Sequence, residues 1–414
     1  MSWKKKFVRN WGRLGMKFNW TTKKLSEIAY INPRESIGKG VVAKKVPMDK
    51  LQPFCRDVPE FVLGEYKGGT KFRNDDTIMA RITPCLENGK IAKVSVLSTD
   101  EIGFGSTEYI VFRAIDGVSD ADFLYYLISS PLVRNPAIKS MVGSSGRQRV
   151  QTDVVANLDI ELPPIEEQRK IGGLLKTFDD KIKLNNEINN NLEQQAQAIY
   201  RSWFVNYEPF DGTKPADWSD GTIDDLGTEI ICGKTPSTKK SEYYGGNTPF
   251  ITIPDMHGCV YIVSTERYLS AAGVASQPKK TLPPNTVCVS CIGTTGLVTL
   301  VSEESQSNQQ INSIIPQKDI SVYYVYLLMQ TLAETINKLG QSGSTIVNLN
   351  KTQFGKIQVM IPSKRVLQDF DSLCSPLFDT ILSNQKENIN LSELRDTLLP
   401  KLMSGELDVS DIDL

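Results

Sequence analysis

IKLNNEINNNLEQQ, Ile182 to Gln195, spaces its apolar residues as a helix does yet carries five asparagines. Asparagine is a mediocre helix former and costs free energy to bury, so the cluster needs a reason. From Ile171 onward, the residues at alternating spacings of four and three are Ile171, Leu175, Phe178, Ile182, Asn185, Asn189, Leu192, Ala196, Ile199 and Trp203. Eight of these ten are apolar, which makes a heptad seam of nearly five repeats. Asn185 and Asn189 are its two polar members and sit together at its centre. Asn186, Asn190 and Asn191 fall off the seam and are expected to be solvated.

The same pattern returns 199 residues later, as Phe370, Cys374, Leu377, Ile381, Asn384, Asn388, Leu391, Arg395, Leu398 and Leu402. Asn384 and Asn388 take the places of Asn185 and Asn189. Upstream, NLDIELPP (Asn157–Pro164) matches KIQVMIPS (Lys356–Ser363), in each case an alternating strand that ends at the helix start. FLYYLISS (from Phe123) resembles YVYLLMQT (from Tyr324), and GSSGRQRVQ (from Gly143) resembles GSTIVNLN (from Gly343). Weaker echoes join DDTIMARITPCLENGKIAKV to PNTVCVSCIGTTGLVTL, and KLSEIA to TIDDLG. The chain is therefore an internal repeat of globular half and long helix. Short β-branched or aromatic strands mixed with a few helices predict an α+β class for each half.

Two equal seams in a pseudo-symmetric chain can bury each other. A two-fold between the halves makes the pairing antiparallel, and the midpoint of 171–203 lies between the two asparagines. Asn185 then faces Asn388 and Asn189 faces Asn384, fixing register at some cost in stability. The competing reading packs each helix on its own half, with the asparagines in a wet gap.

The predicted boundaries are an N-terminal extension (1–19), a first domain (20–163), a helix (164–205), a Pro/Gly/Asp-rich linker (206–218), a second domain (219–362), a helix (363–404) and a tail (405–414). At 414 residues, with 40% hydrophobic and 23% charged content, the composition is that of a soluble multidomain protein. No run of 18 apolar residues predicts a membrane span, and the basic, aromatic N-terminus lacks a signal-peptide core. Seven scattered cysteines point to a reducing cytoplasm. The net charge of −1 requires any nucleic-acid surface to be built by local segregation of cations.

Enzyme chemistry finds little to stand on. His257 is the single histidine, set in IPDMHGCVYI, which reads as a turn between strands. CVSC (Cys288 to Cys291) is a lone CxxC whose alternation predicts a buried strand, where cysteine acts as a small hydrophobe. There is no GxxxxGK[ST] loop. LPPI and LPPN lack the leading Asn/Asp and the aromatic of an adenine-methyltransferase tetrad. No metal site is expected.

PPIEEQRKIGGLLKTFDDKIKLNNEINNNLEQQAQAIYRSWF resembles the central conserved helix of the specificity (S) subunits of type I restriction-modification enzymes, and ELRDTLLPKLMSGEL resembles their C-terminal conserved helix. GKTPSTKKSEYYGGNTPFITIPDM and MARITPCLENGK resemble segments of that family's target-recognition domains. The resemblance, over roughly residues 20–410, implies two target-recognition domains joined by two long helices in an antiparallel coiled coil. It implies that each domain reads one half of a bipartite DNA site, that the coiled coil sets the spacer, and that the subunit is non-catalytic. Two methyltransferase subunits, carrying S-adenosylmethionine, are the implied partners, with restriction subunits in a cleaving complex. Residues 1–19 precede the family's usual start, and Met16 is an alternative initiator to a native extension. The other function class is a coiled-coil scaffold that binds proteins rather than DNA.

Direct readout needs Arg, Lys, Asn or Gln on exposed loops, with further cations on phosphate. In the first half the candidates are Arg81, Asn88 and Lys90 in ARITPCLENGK, and Arg147, Gln148 and Arg149 in GSSGRQR. In the second half they are Lys234, Lys239 and Lys240 in GKTPSTKK, with Ser344 and Thr345. Lys279 and Lys280 read as solvated.

Overall fold

The computed structural model describes residues 19–144, 146–341 and 348–409. The chain divides into two compact units, 1–182 with 390–414 and 183–389. Each unit takes one globular half, the adjoining part of its own long helix and a segment of the other long helix. These helices run Ile165–Phe204 and Lys364–Met403.

In the first unit, strands β1 (Thr21–Lys24) and β10 (Asp159–Leu162) pair antiparallel beside the start of the long helix. One four-stranded sheet has the order β2 (Ala29–Ile31), β9 (Tyr109–Ala114), β6 (Thr77–Ala80), β7 (Ile91–Lys93). The other has the order β4 (Val62–Glu65), β3 (Val42–Val46), β8 (Gly103–Gly105), β5 (Lys71–Phe72), with β3 and β8 parallel. Helix Ala121–Ser129 begins at Asp120, whose carboxylate accepts from the amides of Asp122 and Phe123. Its apolar side chains, including the fully buried Phe123 and Leu127, pack with Ile171, Leu175 and Phe178 of the first long helix and Leu402 of the second.

The EEQ start of the first long helix has a physical reason. Gln168 is buried, donates to the carbonyls of Val118 (3.0 Å) and Pro163 (2.9 Å), and accepts from the Asp120 amide (3.0 Å). One side chain thus joins the helix start to the loop before Ala121. Four residues on, a Cβ at Gly172 would lie 2.6 Å from the Phe123 amide nitrogen, so glycine is what lets the two helices approach. At the far end, Gly405 closes the second long helix at φ 70°, and Leu402, Met403 and Val409 are buried in the first unit's core.

The second unit repeats the topology. β11 (Ser219–Thr222) pairs with β21 (Gln358–Ile361). A five-stranded sheet has the order β12 (Gly227–Cys232), β20 (Ile311–Pro316), β17 (Val287–Ser290), β18 (Val298–Val301), β14 (Tyr261–Ile262). A four-stranded sheet has the order β15 (Tyr268–Leu269), β13 (Tyr244–Ile251), β19 (Ser305–Ser307), β16 (Thr281–Leu282), again with one parallel pair, β13 and β19. Ser321 caps helix Val322–Thr331 by accepting from the Tyr324 amide. Cys288 lies within β17 and Cys291 just beyond it; both are buried, and burial pushes both thiols up to about 12. The segment 206–218 is more than a tether, because Phe210 and Tyr207 pack edge-on against the buried Trp218 at 5.2 and 5.8 Å.

Within the second unit the long helices run antiparallel, since Asn185 meets Asn388 while Asn189 meets Asn384. The first unit shows the same sense, with Asp179 against Arg395. The repeat breaks there. Asp179 and Arg395 have side-chain exposures of 7% and 11%, and they form an ion pair of 2.5 Å, with the Tyr126 hydroxyl donating to the other Asp179 oxygen at 2.5 Å. At the positions 199 residues away the second unit has Phe378 and Ala196, and Phe378 stacks on Tyr323 at 4.4 Å. One unit carries charge where the other carries an aromatic ring.

Candidate nucleic-acid interface

Three loops meet at one end of the β2–β9–β6–β7 sheet. They are the connection 81–90 after β6, the turn 106–108 between β8 and β9, and the described residues 142–144 and 146–149. Arg149 pairs in antiparallel bridges with both Ile82 and Val142, and the Thr83 amide donates to the Gln148 carbonyl at 3.0 Å. The Arg81 amide donates to the Glu108 carbonyl at 2.9 Å. Arg81, Gln148 and Arg149, predicted on two separate stretches, therefore share one surface, and Arg147 is exposed on the same segment.

Glu108, which the sequence did not single out, is the centre of this surface. Arg149 donates to it through Nε at 2.9 and 3.1 Å and through Nη2 at 2.6 Å, leaving Arg149 45% exposed. The Arg149 hydrogen bonds hold the Glu108 carboxyl below its usual range. Arg81 Nε lies 3.9 Å from Glu108 and is buried without a hydrogen-bond partner. Behind the loop, Arg134 sits over the Phe54 ring at 4.9 Å and donates to the Glu87 carbonyl at 3.0 Å. Asn88 is exposed. Lys90 faces another way, with its ammonium donating to the Met48 carbonyl at 2.9 Å, so its role here is to anchor the loop.

The second unit builds the equivalent end from different side chains. Asn348 bridges Ile292 as Arg149 bridges Ile82, and the turn 308–310 takes the place of 106–108. The loop after β12 is tied to it, with the Gly233 amide donating to Ile311 and the Lys234 amide to Ser307. Buried Gln277 reinforces the loop by donating to the Lys234 carbonyl at 2.7 Å and to Gln306 at 2.8 Å. Thr235 donates to Gln309 at 2.8 Å, and Asn308 donates to Gln310 at 2.9 Å. The surface is thus made of amides and lysines. Lys234, Lys239 and Lys240 are exposed along it, and Lys240 rests over the Tyr243 ring at 4.9 Å. Ser344 and Thr345 lie outside the described residues. Lys279 is exposed, but Lys280 donates to the Cys232 carbonyl at 2.7 Å, a structural use in place of the expected solvation.

Asn185, Asn189, Asn384 and Asn388 form a separate polar layer between the helices. Asn185 donates to Asn388 Oδ1 at 2.9 Å and to Glu387 at 2.8 Å, and Asn384 donates to Asn189 Oδ1 at 2.9 Å. Asn388 in turn donates to Asn186 at 2.8 Å, so Asn186, though exposed, belongs to the network rather than to solvent alone. Asn185 is fully buried and Asn189 nearly so, and a buried amide is tolerated where its hydrogen bonds are made. Among the described residues, no group of His, Cys, Asp and Glu could hold a metal ion, and no helix is long and apolar enough to cross a membrane.

Two copies of one α+β domain, each followed by a long helix of an antiparallel pair, define the class. The family model described as the type I restriction modification DNA specificity domain matches twice, at residues 18–194 and 215–391, and the chain belongs to that family. The type I restriction enzyme HindI specificity subunit of Haemophilus influenzae is 33% identical over 371 residues, covering 73% of this chain and 81% of the relative. The MjaIX specificity subunit of Methanocaldococcus jannaschii is 26% identical, covering 72% of this chain and 71% of the relative. The crystal structure of the type I restriction-modification S subunit from M. genitalium shares the fold, with a TM-score of 0.57 at 16% identity, covering 94% of this chain and 97% of that one.

Proposed function

We propose that this chain is the DNA-recognition subunit of a type I restriction-modification complex, each domain reading one half of a bipartite duplex site. The observation that carries the reading is that the same three-loop cluster occurs in both units with different side chains. Glu108 and Arg149 stand where the second unit has Gln310 and Asn348. A repeated scaffold with unlike readers suits a split, asymmetric site, as an identical pair suits a palindrome. The helix pair sets the spacer, since its seams are equal in length and its asparagine layer fixes register.

The chemistry lies in partners. Two methyltransferase subunits carrying S-adenosylmethionine dock on the subunit, restriction subunits join in the cleaving form, and the chain itself is non-catalytic and cytoplasmic. Methylation mapping of DNA from cells expressing the chain with its methyltransferase should return one bipartite motif. DNA association of that complex should weaken steeply with salt, as phosphate contacts require. Turnover of S-adenosylmethionine by the purified chain, or association indifferent to salt, contradicts the proposal.

A further inference from the structure

We infer that Arg149, held in place by Glu108, is the guanine-reading residue of the first domain; this rests on the DNA-recognition reading above. Guanine is recognised in the major groove by a fork of two donors directed at O6 and N7, and Arg supplies that fork. A lone exposed arginine must give up side-chain freedom to do so, which weakens its discrimination. Here much of that ordering is already done. Glu108 takes Nε and one hydrogen of Nη2, leaving Nη1 and the second Nη2 hydrogen as a pair of outward donors. The backbone beneath is fixed by bridges to Ile82 and Val142, so both base and tip of the side chain are constrained.

Two further observations favour a reader over a surface ion pair. Glu108 is itself anchored, its carbonyl accepting from the Arg81 amide, while the buried Arg81 Nε, 3.9 Å from the same carboxylate, makes no hydrogen bond. And the pair is confined to one unit. In the second unit the matching bridge residue is the exposed Asn348 and the matching turn residue is Gln310, neither of them charged. A structural strut common to both scaffolds would be expected at both places, whereas a reader differs with the base it reads.

The test is methylation mapping of the complete complex carrying the wild-type chain, R149K or E108Q. Wild type should give an invariant guanine in one half-site. R149K keeps the charge and loses the fork, so selectivity at that one position should fall by roughly 5- to 150-fold, the range of a bidentate contact. The other half-site should stay unchanged. E108Q should keep guanine preferred while lowering the methylated fraction of sites. If R149K methylates nothing, equilibrium competition with duplexes bearing each base at that position decides: a flattened ranking supports the inference and the wild-type ranking overturns it. An unaltered R149K motif, or a relaxation spread over both half-sites, also overturns it. Failure of the wild-type complex to yield any bipartite motif would instead overturn the recognition reading itself.

Discussion

Replacing Arg395 by alanine tests the asymmetry of the helix pair most severely. Arg395 and Asp179 are nearly sealed from solvent, and Asp179 has the Arg395 guanidinium on one oxygen and the Tyr126 hydroxyl on the other. R395A leaves a buried carboxylate with one donor, and breaking a buried pair in this way costs about 3–5 kcal/mol. For a unit in the 150–250-residue range each kcal/mol shifts the midpoint by about 2–4 °C, so the transition containing the first unit should fall by roughly 6–20 °C. The triple variant D179L, R395M and Y126F removes every buried member of the network, leaving only Asp396, an exposed partner of Arg395 at 2.8 Å, and makes the position apolar, as Phe378 and Ala196 already do in the second unit. Replacing a whole buried network by packed apolar side chains is often neutral or stabilising, so the triple variant should melt at or above wild type. Scanning calorimetry reads both. A shift below about 2 °C for R395A, or a triple variant as unstable as the single, would refute the reasoning.

Three shorter predictions follow from the same structure. Iodoacetamide at pH 8 should spare Cys288, Cys291 and Cys374, whose thiols burial pushes up to about 12, and peptide mass spectrometry of briefly treated native protein will show whether it does. N185L alone strands the Asn388 carbonyl and should cost about 1–3 kcal/mol, whereas leucine at Asn185, Asn189, Asn384 and Asn388 together should recover stability while loosening register or oligomeric state; a quadruple variant that melts below N185L and stays monomeric counts against this. Exchange of residues 20–160 for the corresponding domain of another family member should alter one half-site in methylation maps, and alteration of both would disprove independent reading.

The large-scale plan was legible in the sequence because it depends on periodicity. A heptad seam shows itself over 33 residues, and its recurrence with the polar pair in the same phase reveals the repeat. The helix start PPIEEQRK is legible as part of the family resemblance, but the reason for its glutamine, buried and bonded to three backbone groups, depends on a loop some 50 residues earlier. Long-range polar pairing was not legible. Arg395 appeared only as an interruption of its seam, since Asp179 lies one place off the other seam. Lys90 and Lys280 sit in polar loops that look solvated, yet each is committed to a carbonyl at least 40 residues distant. Glu108 is not legible as a site residue because a carboxylate repels phosphate, and only the fold brings it to Arg149.

The helix pair as the ruler between half-sites is the central claim, and its length can be changed without touching either reader. One heptad inserted into each long helix, just outside the asparagine layer, preserves seam phase and pseudo-symmetry. It adds about 10 Å of helix, equivalent to about three base-pair steps. Methylation mapping of the active variant complex should return both original half-sites with a spacer longer by roughly two to three base pairs. The original spacer, recovered from an active variant, would contradict the claim.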